Sequence, residues 1–181
     1  MRIISGSHKG RKLLIPKKLP ARPTTDFAKE SLFNILRNRV YFDEIRVLDL
    51  FSGTGSIGYE FASRGVPSII AVDAHAASVK YIEKTATDLE FPIQVFRMDV
   101  FKFLESHTQK FDLIFSDPPY DMPQEDFQKL ITLIFEKKLL AEDGILIIEH
   151  HKNLNFDQLP FLDERRKYGD SVFSFFSERA E

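Results

Sequence analysis

The fold of this chain is decided by the stretch Val47–Gly58, which reads VLDLFSGTGSIG. Its first four residues form an apolar run with one aspartate, which is typical of a short buried strand. Gly53, Gly55 and Gly58 then permit a tight turn, and a helix-forming segment follows through about Arg64. A strand, a glycine-rich turn and a helix in this order begin a doubly wound α/β sheet.

Beyond this unit, short apolar runs alternate with segments of helical period. The apolar runs predict strands at 68–73, 93–96, 111–116 and 145–148, and helices are predicted at 25–40 (capped by Thr25), 79–89, 124–138 and in a short segment from 99. The last segment, 161–176, breaks the alternation and predicts an antiparallel hairpin. We therefore expect an α/β, Rossmann-like fold with a doubly wound, mostly parallel sheet and a C-terminal hairpin.

The N-terminal residues predict an additional arm. The segments 2–4 and 11–15, each a basic start followed by apolar residues, flank the glycine-bearing segment 5–10, as in a β-hairpin. Three prolines then keep the following connection extended. We therefore expect a hairpin arm at 1–22 that lies apart from the core of the main domain at 23–181.

The net charge of -2 conceals an uneven distribution. Residues 1–25 carry seven basic side chains and no acidic one, whereas the rest of the chain carries 18 basic and 27 acidic side chains. A basic arm on an acidic body indicates a polyanionic partner approached from one side, although lysines that only aid solubility would give the same count.

Composition bounds the remaining possibilities. The 181 residues are 43% hydrophobic, include 18 phenylalanines and support one sizeable core. Cysteine is absent, which excludes disulfides, thiol chemistry and cysteine-based zinc sites. No signal peptide or membrane-length apolar run is visible, so we expect a soluble cytoplasmic protein.

The glycine loop allows two cofactor classes. The pattern G-x-G-x-x-G at 53–58, with Asp73 20 residues after its first glycine, matches a dinucleotide-binding fingerprint. Asp49, however, lies where a pyrophosphate would rest, and a carboxylate there favours a cationic ligand. S-adenosylmethionine fits better, because it carries a sulfonium and an ammonium and its single carboxylate can bind the helix N–H groups near Ser56.

Acidic residues at successive strand ends extend this pocket. Asp73 is placed to accept the ribose hydroxyls, and Asp99 with the Val100 backbone is placed to bind an adenine amino group, although Asp99 would equally serve as a helix N-cap. The predicted cofactor-binding residues are Asp49, Phe51, Ser52, Gly53, Thr54, Gly55, Asp73, Ala74, Asp99 and Val100.

A rigid acidic corner follows the strand at 111–116. The residues are Asp117-Pro118-Pro119-Tyr120, and the two prolines fix the backbone and remove two N–H donors. The carboxylate and a backbone carbonyl can accept both hydrogens of an amino group while the tyrosine ring stacks on a flat substrate. Alternatively, a strand ends here in an ordinary turn with a capping aspartate.

Taken together, these motifs resemble class I S-adenosylmethionine-dependent methyltransferases that modify exocyclic amines of bases. The resemblance rests on LDLFSGTG at 48–55 and DPPY at 117–120. The segments GSHKGRKL at 6–13, RPTT at 22–25 and KESLFN at 29–34 are similar to the RsmD family. These bacterial enzymes methylate the exocyclic amino group of one guanine in small-subunit (16S) ribosomal RNA.

The resemblance implies a role for each motif. Asp117, Pro118, Pro119 and Tyr120 would form the catalytic corner, and Lys9, Arg11, Lys12, Arg22 and Thr24 would contact the RNA. The implied partner is ribosomal RNA, within an assembled small subunit. By default we expect a monomer, and no metal is expected. Phe27 departs from the family pattern, because a basic residue is expected in the first helical turn.

Three other functions would use parts of the same pattern. A DNA adenine or cytosine amino-methyltransferase would use the same corner, but no segment is long enough for a target-recognition domain. A non-catalytic RNA-binding assembly factor would not need Asp49, Asp73 and Asp117, so their presence argues against it. A nicotinamide-dependent oxidoreductase is disfavoured by Asp49, because its carboxylate would repel a pyrophosphate. His150 and His151 are adjacent after a predicted strand, so their side chains point to opposite faces and cannot easily share a metal.

Overall fold

The computed structural model of the protein describes residues 1–19 and 24–178. The helices are α1 (Asp26–Leu36), α2 (Ser56–Ser63), α3 (Ala76–Asp88), α4 (Val100–Ser106) and α5 (Gln124–Glu136). The strands are β1 (Arg46–Leu50), β2 (Ser68–Asp73), β3 (Ile93–Arg97), β4 (Phe111–Ser116), β5 (Leu140–His151), β6 (Leu162–Tyr168) and β7 (Ser171–Phe176). The predicted alternation of strands and helices is confirmed.

The seven strands form one sheet in the order β3-β2-β1-β4-β5-β7-β6. The first five are parallel, and β7 pairs antiparallel with both β5 and β6. The chain runs outward from β1 to β3 and then crosses to β4, so the strand order reverses between β1 and β4. In open α/β sheets, ligands bind at the carboxyl ends of the strands at this switch point.

Helices cover both faces of the sheet. Apolar side chains of α1, α2 and α3 pack in one core with Val47, Ala71 and Phe115. Those of α4 and α5 pack in a second core with Leu48 and Ile148. Because neighbouring residues of a strand point to opposite faces, each strand contributes to both cores.

The N-terminal residues form a hairpin, but the expectation that it lies apart from the core is wrong. Its two sides meet at a bridge between Arg2 and Lys12. Ile3 is only 1% exposed and packs in the same core as α1 and α2. The Ser7 N–H also donates to the Ser63 carbonyl at 2.7 Å, at the end of α2. Apolar residues of the hairpin therefore bury against the domain, while its charged residues face outward.

Several predicted boundaries differ from the observed ones. α1 begins after Thr25, whose side chain accepts a hydrogen bond from the Ala28 N–H, and it ends at Leu36 rather than near Val40. The chain continues there in non-helical turns. β5 is longer than predicted and includes His150 and His151, because its pairing with β7 extends the ladder beyond the apolar run.

Candidate active site

Four carboxylates meet at the carboxyl ends of the central strands. Asp49 and Asp73 lie in β1 and β2, Asp117 follows β4, and Glu149 lies in β5. The strand register pairs Asp49 with Phe115 and Ser116 with Ile148, so all four acidic side chains belong to the same face of the sheet. The sequence predicted the first three, and the fold brings them together with the fourth.

Asp49 is the most deeply buried of these acids and is only 2% exposed. Its Oδ2 atom has no hydrogen-bond partner among the residues that the structure describes. Burial, reinforced by the nearby charge of Asp73, raises the pKa of Asp49 to about 8, although the Gly58 N–H opposes the shift. A buried carboxylate of this kind is stabilised by a cation and destabilised by a further negative charge.

The glycine loop is held in place by Asp73. Its Oδ2 accepts a hydrogen bond from the Gly53 N–H at 2.8 Å, and its Oδ1 accepts one from the His75 N–H at 2.8 Å. Gly55 has φ of +77°, and a Cβ there would collide with the ring of Tyr59. The loop therefore requires glycine at this position, for both conformational and steric reasons.

The remaining loop residues surround the same space. Ser52 is buried, and its hydroxyl donates to the Asp49 carbonyl at 2.7 Å. Phe51 adopts φ of +55°, which is unusual for a residue other than glycine. Thr54 is buried beside the Met1 sulfur, 3.7 Å from its hydroxyl oxygen, and Ala74 is exposed after Asp73.

These features suit S-adenosylmethionine. Asp49 Oδ2 and Ser56 Oγ are buried polar atoms without a hydrogen-bond partner in the described part of the chain, one beside the glycine loop and one at the start of α2. A cationic group satisfies the first, and a carboxylate that accepts from a hydroxyl and from helix N–H groups satisfies the second. A dinucleotide would instead bring its pyrophosphate against Asp49.

Asp99 acts as the N-cap of α4. Its side chain accepts a hydrogen bond from the Lys102 N–H at 3.1 Å, while Val100 is 2% exposed. The structure therefore supports helix capping, the alternative role that the sequence left open, and capping uses only one carboxylate oxygen. A contact between Asp99 and an adenine amino group stays a prediction.

The corner after β4 joins the sheet through Asp117. The Asp117 N–H donates to the Leu50 carbonyl of β1 at 3.3 Å, and the Met122 N–H closes a turn on the Pro119 carbonyl at 3.0 Å. Pro118 is buried, whereas Pro119 and Tyr120 face solvent. Tyr120 is 82% exposed. Its ring and the His151 ring meet edge to face, with 5.2 Å between the ring centroids.

Asp117 interacts electrostatically with its acidic neighbours. Burial, followed by the charges of Glu149 and Asp49, raises the pKa of Asp117 well above its usual range. Burial also raises the pKa of Glu149, against hydrogen bonds from Ser171 and Thr24. Carboxylates this close to one another repel when both are ionised, so the site favours ligands that bring hydrogen-bond donors or positive charge.

Glu149 is the site residue that sequence reasoning missed. The only signal in the sequence is that it directly follows the apolar run 145–148, as Asp117 follows 111–116. An acid at a strand end is common, and the sequence did not show that β4 and β5 are neighbours. Their pairing places the two acids side by side.

The predicted RNA contacts fall into three groups. Lys9, Arg11 and Lys12 are exposed on the hairpin. Thr24 lies instead beside Glu149, with 3.5 Å between its hydroxyl oxygen and Glu149 Oε2. Arg22 lies outside the described residues.

Neither a metal centre nor a membrane-spanning helix is found in the part of the chain that the structure describes. No group of three or more His, Asp or Glu side chains within 1–19 and 24–178 is arranged to hold a metal ion. None of the described helices is both long and apolar enough to cross a membrane.

Comparison with known proteins identifies the family. The family model described as "Conserved hypothetical protein 95" matches residues 1–177. The putative rRNA methyltransferase YlbH of Bacillus subtilis is 39% identical over 163 residues, which cover 87% of this chain and 86% of the relative. Ribosomal RNA small subunit methyltransferase D of Escherichia coli is 30% identical over 150 residues, covering 82% and 74% of the two chains.

The chain belongs to the RsmD family. It is accordingly an S-adenosylmethionine-dependent methyltransferase, and the resemblance seen in its motifs is confirmed. The solved structure of the putative methyltransferase yhhF from Escherichia coli aligns with a TM-score of 0.87 at 24% identity, covering 100% of this chain and 99% of that one. This similarity shows that the two share a fold, the class I methyltransferase fold of the RsmD family.

Proposed function

We propose that this RsmD-family protein methylates the exocyclic amino group of a guanine in small-subunit ribosomal RNA, within assembled small-subunit particles. The observation that carries the proposal is the placement of the Asp117-Pro118 corner beside buried Asp49. The corner can accept hydrogen bonds from an amino group, and Asp49 can bind a cation. A substrate amine and a cationic methyl donor therefore meet at one point of the sheet.

The cofactor is held by the acids and the glycine loop. Asp49 would hold the positive part of S-adenosylmethionine, Asp73 would accept hydrogen bonds from the ribose hydroxyls, and the backbone of Phe51–Gly55 would contact the ligand. Ala74, Asp99 and Val100 would bind the adenine. When bound, S-adenosylmethionine supplies an electrophilic methyl group.

Asp117 and Pro118 orient the attacking nitrogen. The exocyclic nitrogen of guanine is a poor nucleophile, because its lone pair is delocalised into the ring. Hydrogen bonds from its two hydrogens to the Asp117 carboxylate and the Pro118 carbonyl favour a pyramidal nitrogen with an available lone pair. Alignment of reacting groups of this kind is worth roughly 7–11 kcal/mol in favourable cases. Pro119 fixes the backbone that follows.

Tyr120 holds the extruded base. Its ring is 82% exposed, so a base that leaves its stack can lie against it without displacing other side chains. Stacking on an aromatic ring contributes about 1–3 kcal/mol per base, which is comparable to the few kcal/mol that unstacking costs.

The basic hairpin provides the contact with RNA. Lys9, Arg11 and Lys12 are exposed on one element, and no ion pair involves them among the residues that the structure describes. Thr24 lies beside Glu149 at the site, and Arg22, which is outside the described residues, is proposed as a further RNA contact. We propose residues 1–22 as the RNA-binding unit and 23–181 as the catalytic unit. Action on ribosomes implies a cytoplasmic location.

A methyl-transfer assay tests this function. The protein is incubated with isotopically labelled S-adenosylmethionine and, separately, with undermethylated small subunits, naked 16S ribosomal RNA and DNA. We expect N2-methylguanosine in the small subunits, identified by mass spectrometry of the digested nucleosides. The matched variant is Asp117→Ala, which removes the acceptor and should lose about 10²–10³-fold in rate while S-adenosylmethionine still binds.

Each other outcome points to a different function. Label in adenine or cytosine of DNA would support the DNA amino-methyltransferase. Label in none of the three substrates, with RNA binding retained, would support a non-catalytic assembly factor. Full activity of Asp117→Ala would contradict the role given to the corner.

A further inference from the structure

We propose that Glu149 selects guanine by accepting a hydrogen bond from its ring N1–H while Asp117 holds the neighbouring amino group. This inference rests on the proposed function and names the feature of the base that the site reads. Glu149 would then be a specificity-determining residue that touches the substrate without taking part in methyl transfer.

The register of the sheet places Glu149 next to Asp117. Ser116 and Ile148 are paired on adjacent parallel strands, and the two acids are the next residues of their chains. Neighbouring strands lie about 4.8 Å apart. Ile148 packs in the core beneath the opposite face, so Glu149 points to the face that carries Asp49 and Asp117.

Glu149 has hydroxyl neighbours but no basic partner. Thr24 Oγ1 lies 3.5 Å from its Oε2, and Ser171 of β7 also donates to its carboxylate. No ion pair of Glu149 with a lysine or arginine is found within residues 1–19 and 24–178. Only 9% of Glu149 is exposed, so its carboxylate is largely removed from water. A carboxylate in this position gains from an additional N–H donor.

The edge of guanine has the matching pattern. Guanine presents in sequence an amino donor, the N1–H donor and the O6 acceptor. The site presents the Asp117 and Glu149 carboxylates side by side at the ends of β4 and β5. Two acceptors therefore face the two neighbouring donors of guanine, the amino group and N1–H.

Adenine and cytosine do not fit this arrangement. Each also carries an exocyclic amine that Asp117 would accept. The ring nitrogen beside that amine, however, is an acceptor in both bases, and an ionised Glu149 would repel it. Discrimination therefore resides at the residue beside the catalytic corner, because the corner itself accepts any amine.

The test compares two small-subunit substrates. The modified position is first mapped with the wild-type protein, and subunits are then prepared with guanine or adenine at that position. We expect the ratio of kcat/KM values, guanine over adenine, to fall at least about tenfold in Glu149→Gln, because the amide also donates to a ring acceptor. The control Glu142→Gln makes the same change at an exposed glutamate of β5 outside the site and should keep the wild-type ratio within about threefold.

Two further measurements keep the outcome unambiguous. Calorimetry with S-adenosylmethionine shows whether Glu149→Gln retains its cofactor site. Wild-type protein is also assayed on RNA in which the target is replaced by 2,6-diaminopurine, which keeps the 2-amino group but has an acceptor at N1. We expect a loss of at least about tenfold in kcat/KM for this base, and this measurement needs no variant.

The possible failures differ. A Glu149→Gln variant with the wild-type ratio, or wild-type protein that methylates 2,6-diaminopurine as fast as guanine, would overturn the role of Glu149 and leave guanine methylation standing. Wild-type protein that methylates no ribosomal guanine would overturn both proposals.

Discussion

Lys29 and Glu60 form an ion pair in the interior of the protein. The Lys29 Nζ lies 3.1 Å from Glu60 Oε1, and neither side chain has any exposed surface. Lys29 comes from α1 and Glu60 from α2, so the pair joins two helices on one face of the sheet. Buried charges persist only where hydrogen bonds satisfy both partners.

The pair also fastens the N-terminal hairpin. Lys29 Nζ donates to the Arg2 carbonyl at 2.6 Å, and Glu60 Oε1 accepts from the Ile4 N–H at 2.8 Å. Arg64 contacts the other oxygen of Glu60. The backbone of the hairpin is therefore held by the same charges that join the helices, which fixes where its basic side chains lie relative to the active site.

Replacing Lys29 by methionine should destabilise the protein by about 3 kcal/mol, because Glu60 loses its main partner while still buried. The free energy of unfolding, measured with urea, checks this expectation. Lys80→Met is the control, since Lys80 is exposed on α3 and should change stability by less than about 0.5 kcal/mol. Equal effects of the two substitutions would contradict the structural role of the pair.

Alanine at Gly6 should be much more harmful than alanine at Gly10. Both glycines have positive φ, +86° and +83°, so both substitutions strain the backbone by about 1–2 kcal/mol. Only at Gly6 would the added Cβ overlap the Ser63 carbonyl, whereas nothing lies within 4 Å of that position at Gly10. Gly6→Ala should therefore cost about 1–3 kcal/mol more, since two atoms cannot share that space.

Urea unfolding of both glycine variants provides the comparison. The contact between the hairpin and α2 depends on the Ser7 N–H at the Ser63 carbonyl, so Gly6→Ala should also lower the activity on ribosomal RNA more than Gly10→Ala does. Two curves that coincide would mean that the hairpin does not need its close approach to α2.

Neutralising Lys9, Arg11 and Lys12 together with glutamine should weaken RNA binding and make it less sensitive to salt. Each lost phosphate contact lowers the slope of log affinity against log salt by roughly 0.7–0.9. The measurement is a binding titration with small-subunit RNA at several salt concentrations.

The control for this charge change removes three exposed lysines that lie outside the hairpin. Lys110, Lys137 and Lys138 are exposed near the starts of β4 and β5, far along the chain from the hairpin. Their replacement by glutamine changes the net charge equally and should leave the salt slope nearly as in the wild type. If both triple variants reduce the slope of log affinity against log salt equally, the hairpin is not a specific RNA contact.

Tyr120→Ala should raise KM for the RNA substrate, whereas Tyr120→Phe should behave almost as the wild type. The phenyl ring preserves stacking, while alanine loses the about 1–3 kcal/mol that stacking contributes per base. Steady-state kinetics with small subunits measure both variants. Tyr41→Ala removes a comparably exposed ring (76%) at the other end of β1 and should have no such effect. A Tyr120→Phe variant as impaired as Tyr120→Ala would assign the effect to the hydroxyl instead.

The stability of the cofactor-free protein should depend on Asp49 and pH. Burial raises the pKa of Asp49 from an ordinary value of 3.8 to about 8. Between these values the folded protein holds a proton that the unfolded chain releases, so the free energy of unfolding falls as pH rises. The contribution of one such group reaches about 1.4 kcal/mol per pH unit.

Asp49→Asn removes this titration. The variant should therefore lose less stability than the wild type between pH 5 and pH 8, as measured by urea unfolding at each pH. Asp117 and Glu149 also have raised pKa values, so some pH dependence remains in the variant. Asp43→Asn, at an exposed aspartate, should follow the wild-type curve. Parallel curves for Asp49→Asn and the wild type would contradict the shifted pKa.

The sequence determined the layout of the main domain. Strand and helix periods are local properties of the chain, and the glycine loop with Asp49, Asp73 and Asp117 follows from where each strand ends. In a parallel sheet these ends converge on one edge, so a list of strand-end acids already predicts a common site. For this reason the fold class and three of the four acids of the site followed from local patterns alone.

The tertiary structure decided what depends on distant residues. Glu149 became part of the site only because β5 lies beside β4, and Thr24 reaches it across 125 positions of sequence. Ile3 in the core and the Lys29–Glu60 pair show that the hairpin belongs to the domain, although the three prolines that follow it predicted a separate arm. Such contacts leave no periodic signal, because burial of one side chain depends on which element folds against it.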